Sequence, residues 1–142
     1  TATIWPGTID DATGQHINGV LTVGRSDLSH PVTFGAHSTL KLTFGKTVVS
    51  DALVVHGTVA INETDTKLVL EPNCDLKDLH GGTFTVLSAT DGITGDFSEI
   101  VAPKGWHVNK VMGKVMTEEG ETEKVVAITV SMAGRGLAMI IR

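Results

Sequence analysis

The chain has 142 residues, 41% of them hydrophobic and 19% charged, which is enough for one domain with a true core and excludes a disordered polymer. Eleven basic against 16 acidic side chains leave a formal charge of −5 at pH 7, which excludes a standing electrostatic footprint for nucleic acid or anionic lipid. Aromatic residues amount to 4% with no Tyr, so a large aromatic-lined pocket or a base-stacking platform has little material.

Val, Ile and Thr number 17, 9 and 19, and 16 glycines punctuate them, a composition of strands and turns. In chain order, short apolar alternations recur at Leu21–Val23, Val32–Phe34, Leu40–Phe44, Leu53–Val55, Thr58–Ile61, Leu68–Leu70, Phe84–Val86 and Val125–Val130. Period-two alternation over such lengths predicts half-buried strands. Corner residues separate them, among them His56-Gly57, Asn62 to Asp65, Asp91-Gly92, Gly95-Asp96 and Gly105. The acidic run Glu118-Glu119-Gly120-Glu121-Thr122-Glu123 predicts a solvated hairpin turn with antiparallel strands on either side. Ser131 to Arg142 is consistent with a strand or with one or two helical turns.

At a spacing of 19 residues, Ile4, Val23, Leu42 and Ile61 fall in one apolar column, and Ala2, Leu21, Leu40 and Val59 in another. The spacing predicts short coils that lay like residues above one another, a register lost beyond residue 65. The expected fold is therefore all-β: a short β-solenoid or β-prism with an antiparallel hairpin cap, a β-sandwich being the alternative. It is expected to form a single β-rich domain over 1–142, with a coil-repeat lobe over about 1–80 and a hairpin cap lobe over about 81–142.

The string Ser50-Asp51-Ala52-Leu53-Val54-Val55-His56-Gly57-Thr58-Val59 is followed by Leu68-Val69-Leu70, Gly82-Thr83-Phe84-Thr85-Val86-Leu87-Ser88-Ala89 and Gly92-Ile93-Thr94-Gly95-Asp96-Phe97. It resembles the autotransporter-associated β-strand repeat found in passenger regions of Gram-negative-type surface proteins, over roughly residues 36–98. The resemblance implies a β-solenoid that is secreted or held on the outer cell surface, serving as adhesin, stalk or carrier, and it transfers no catalytic residue. The chain is much shorter than a normal passenger and carries no run of about ten-residue amphipathic strands suited to a membrane barrel. It is expected to be a fragment or a small stand-alone relative, its export signal removed or outside the sequence. No membrane insertion is expected, since the longest apolar run, Leu137 to Ile141, is far too short for a helix that crosses a bilayer.

Three constellations carry candidate chemistry. Asp11-Ala12-Thr13-Gly14 and Asp91-Gly92-Ile93-Thr94-Gly95 approach the Asp-Thr-Gly turn with which paired carboxylates share a proton in aspartic peptidases, but each inserts residues into it. Asp11 and Asp91 are thus the candidate catalytic pair of a small secreted hydrolase acting on mucin-like glycoprotein, and otherwise cap turns. Cys74, Asp75, Asp78 and His80 form the densest group of metal-ligating side chains, without a recognised ligand spacing. No cofactor is expected, a divalent metal at that group being the alternative. Cys74 is the only cysteine, so no disulfide forms within one chain.

The third constellation is a binding face. Between Pro103 and Lys114 the chain carries Lys104, Trp106, His107, Lys110 and Lys114. On a strand Lys110 and Lys114 share one side, and a Trp flanked by polar groups serves either as a carbohydrate platform or as a plug in the core. The expected function is non-catalytic binding or adhesion to host glycoprotein, glycan or a protein surface. Nucleic acid is not expected at neutral pH. Full protonation of six histidines would carry the charge from −5 to +1, which reserves polyanion binding for acid.

Overall fold

The computed structural model describes residues 2–9, 12, 16–17, 19–25, 29–44, 51–72 and 82–132, and every regular element among them is a strand. In chain order these are β1 (Ala2–Ile4), β2 (Thr8–Ile9), β3 (His16–Ile17), β4 (Val20–Val23), β5 (Val32–Phe34), β6 (Ser38–Phe44) and β7 (Ala52–Val55). There follow β8 (Val59–Ile61), β9 (Lys67–Pro72), β10 (Gly82–Thr94), β11 (Glu99–Val101), β12 (His107–Thr117) and β13 (Gly120–Met132). The all-β expectation thus holds.

Three parallel ladders organise the chain. The first runs β1-β6-β9-β11, the second β4-β7-β10, and the third β5-β8-β10, with the long β10 pairing β7 through its first half and β8 through its second. The chain visits the ladders in the same order on each circuit, so like positions meet: Leu21 beside Leu53 beside Leu87, and Val32 beside Val59 beside Ile93. Alternation supplies the inward side chains. Leu40, Leu42, Leu53, Val55, Leu68 and Leu70 are buried in one cluster, while Lys41, Lys67 and Glu71, at the alternate positions, form ion pairs nearer solvent. Phe34 and Phe97 meet edge to face at 5.6 Å, and Phe44 and Phe84 at 6.2 Å, within this cluster.

The 19-residue columns are not the stacking register. Ile4 lies beside Leu40, Leu40 beside Leu68 and Leu68 beside Ile100, offsets of 36, 28 and 32 positions. Val23, Leu42 and Ile61 stand in three different ladders, opposite Val55, Leu70 and Phe34 respectively. Longer strands and corners take each return to the same ladder to 28 to 36 positions here. The shorter spacing joins apolar residues of different ladders.

At the other end the pairing turns antiparallel. β13 runs against β10 and β12 runs against β13, from Thr117 opposite Gly120 to His107 opposite Ser131. Glu118 and Glu119 form the exposed turn, closed by the Thr117 hydroxyl donating to the Gly120 carbonyl at 2.8 Å. The hairpin anticipated at the acidic run is present, with Glu121 and Glu123 already inside β13. Of the segment from Ser131 onward, Ser131 and Met132 belong to β13, and the remainder lies outside the described residues.

One corner carries a titratable contact. His37 and Asp65 both adopt left-handed backbone conformations, with φ of 67° and 52°, and the His37 amide donates to the Thr64 carbonyl across the stack. His37 Nδ1 lies 2.8 Å from Asp65 Oδ2. That hydrogen bond, with lesser help from the Lys67 charge, outweighs the opposing desolvation and holds the Asp65 carboxyl below its ordinary pKa. A depressed carboxylate pKa stabilises the fold above the unfolded value and is lost as pH falls through the folded one. Carboxyl NMR titration is expected to show Asp65 titrating at higher pH in His37→Ala than in the parent; unchanged titration would refute the contact.

Candidate functional site

The first ladder ends at β11, and Ala102, Pro103, Lys104 and Gly105 then turn the chain into β12. Gly105, at φ 91°, allows the reversal, and the Trp106 amide closes it on the Pro103 carbonyl at 3.2 Å. Alternation from there sends Trp106 and Val108 toward the core and His107 and Asn109 to the outer side. The Trp106 ring stands nearly perpendicular to Phe44, 5.0 Å between centroids, so one edge anchors it while the side chain stays half-buried. Along this reversal runs an open groove of about 540 Å³, lined by Ile100, Lys104, Trp106, His107 and Asn109 among others.

Three of the five anticipated binding residues, Lys104, Trp106 and His107, meet in this groove. Lys110 and Lys114 do not line it. Lys110 is ion-paired with Asp96, and Lys114 lies 3.3 Å from Glu121, so carboxylates of the chain itself hold both cations. Lys104 is exposed and has no ion-pair partner among the described residues. The groove therefore offers one available cation, an aromatic edge, an apolar wall at Ile100 and polar atoms at His107 and Asn109.

The other constellations fall elsewhere. Asp91 is half-buried, its Oδ2 accepting a hydrogen bond from the Ser29 hydroxyl at 2.7 Å and its amide donating to the Gly57 carbonyl. Asp11 lies outside the described residues, as do Cys74, Asp75, Asp78 and His80. Among the described residues no group of three or more His, Cys, Asp or Glu side chains is placed to hold a metal ion.

Two polar side chains have roles that the sequence reading missed. Asp51, fully buried, accepts the Gly19 amide on Oδ1 and the Thr43 amide on Oδ2, each at 3.0 Å. The Thr43 hydroxyl in turn accepts the Trp5 indole N–H at 2.8 Å, so one carboxylate ties together the entries of β4 and β7, the end of β6 and the residue after β1. The only sequence cue was a charge placed immediately before the apolar run Ala52–Val55. Trp5 is held by this bond and by Lys41, whose Nζ sits 4.2 Å above its ring. His56 Nδ1 is buried and has no hydrogen-bond partner among the described residues.

Compared with known proteins, the chain matches no protein-family model and no curated protein.

Proposed function

We propose that the chain is a short β-solenoid with a hairpin cap, secreted or displayed on the outer cell surface, that binds glycan of host glycoprotein without catalysis through the groove between Ile100 and Asn109. The carrying observation is the convergence of Lys104, Trp106 and His107 on one open surface beside the end of the first ladder. A sugar ring presents apolar C–H faces and a rim of hydroxyls. Ile100 and the Trp106 edge suit the first, while His107 and Asn109 suit the second. The unpaired Lys104 favours a glycan bearing a carboxylate or sulfate. Parallel pairing through three ladders supports the solenoid reading over a sandwich, whose sheets are antiparallel. A core made from stacked strands needs no disulfide, which is compatible with a chain containing one cysteine outside the cell.

The test titrates anionic and neutral glycans, and mucin-type glycoprotein, into the Trp5→Phe variant, so that indole fluorescence reports Trp106 alone. Saturable change is expected with the anionic ligands. Lys104→Ala and His107→Ala, both at exposed positions, are each expected to weaken binding by about tenfold with unchanged melting. Absence of a saturable response, or affinity equal to the parent's in both variants, would sink the reading.

A further inference from the structure

Outward positions on the first ladder carry charges and pair them, Lys41 with Glu71 and Lys67 with Glu99. So does the far end of the hairpin, where Lys114 meets Glu121. The near end of the cap sheet differs. The register of β10, β13 and β12 sets Thr83, Ser131 and His107 in one row and Thr85, Thr129 and Asn109 in the next. Phe84, Val130 and Val108, at the intervening positions, pack in or against the core, so the six polar side chains share the outer face. Strand geometry makes this array about 10 Å wide across the three strands and about 7 Å deep along them. It holds no carboxylate, lysine or arginine. The Thr83 and Ser131 hydroxyls lie 3.2 Å apart and the Asn109 amide reaches Ser131 Oγ at 3.5 Å, while the Thr85 and Thr129 hydroxyls have no hydrogen-bond partner among the described residues. The array thus keeps donors and acceptors to spare. His107 and Asn109 also line the groove, so the array begins where the groove ends.

We propose that this array extends the glycan site: an acidic sugar sits at Lys104 and Trp106, and neutral sugars continue from it across β12, β13 and β10. The inference rests on the reading of the groove given above and names the ligand class, an oligosaccharide that is acidic at one end and neutral along its length. Lys104 supplies a cation at one end alone, and the array offers no counter-charge to a row of phosphates or sulfates. Its short polar side chains present none of the large apolar or aromatic anchors on which protein partners depend. A neutral sugar matches it. Each sugar hydroxyl both donates and accepts, as the Ser and Thr hydroxyls and the Asn109 amide do, and the Thr methyl groups meet the C–H face of the ring.

Two ligands titrated into the whole chain carrying Trp5→Phe test this: a disaccharide of glucuronic acid and glucose, and a hexasaccharide that extends it by four glucose units. The hexasaccharide is expected to bind about tenfold more tightly than the disaccharide. Adding Thr85→Val and Thr129→Val removes the two free hydroxyls and keeps the β-branched shape that strands accept, so the fold is retained, and melting curves verify this. This variant is expected to lose the tenfold gain with its affinity for the disaccharide unchanged. Equal affinity for the two ligands, or a gain retained in the variant, overturns the extended site while the groove stands. No saturable response to either ligand overturns both.

Discussion

Asp51→Ala is expected to lower folding stability by about 3 to 5 kcal/mol, the largest effect of any single polar substitution among the described residues. The carboxylate is fully buried, and the substitution leaves the Gly19 and Thr43 amides without their acceptor. Those amides belong to different circuits, so neither can turn to water without separating strands that the ladders hold together. Asp51→Asn is expected to recover less than half of the loss. It retains one acceptor oxygen, but its NH₂ group faces the second amide donor. Urea denaturation followed by circular dichroism measures both, with Glu119→Ala in the exposed turn as a control expected within about 0.5 kcal/mol of the parent. A midpoint for Asp51→Ala equal to that control would show that the carboxylate does not bind the circuits together.

The second large effect is expected at a corner. Gly57 has φ 153°, and a Cβ placed there would sit 1.9 Å from the His30 carbonyl oxygen and 2.6 Å from the His30 nitrogen. The obstacle is backbone, which no rotamer change relieves. Making room means parting two circuits where the His30 amide donates to the His56 carbonyl at 2.8 Å and the Val32 amide to the Thr58 carbonyl at 2.9 Å. Gly57→Ala is therefore expected to cost at least about 3 kcal/mol, from two lost hydrogen bonds and a strained backbone together. Gly35→Ala is the matched control, because a Cβ there meets nothing within 4 Å, and it should melt with the parent. Coincident melting of Gly57→Ala and Gly35→Ala would refute the close approach of the circuits.

These two positions differ in how far the sequence exposed them. Gly57 was legible as a corner because it follows an apolar alternation and precedes another, and the same reasoning found Gly95 and Gly105, all at positive φ. Asp51 was legible only as a charge at the head of the apolar run Ala52–Val55, within the family-like string. Its burial depends on amides that arrive from positions 19 and 43, and no local pattern reports which backbone groups will surround a side chain. The candidate groove shows the same division. Lys104, Trp106 and His107 were recognisable as a polar-flanked aromatic, and adjacency in sequence brings them to one turn. Lys110 and Lys114 carried the same promise, but Asp96 and Glu121 reach them through pairings that only the folded chain makes.

By itself the sequence determined the all-β class, the inward rows at Leu40, Leu42, Leu53, Val55, Leu68 and Leu70, and the hairpin at Glu118 and Glu119, because alternation and turn chemistry act between near neighbours. The tertiary structure decided which strands lie side by side. Corner lengths vary from circuit to circuit, so stacked residues stand 36, 28 and 32 positions apart, and no single period expresses that. Packing of whole circuits selects the register, and with it which carboxylate is buried and which lysines are neutralised.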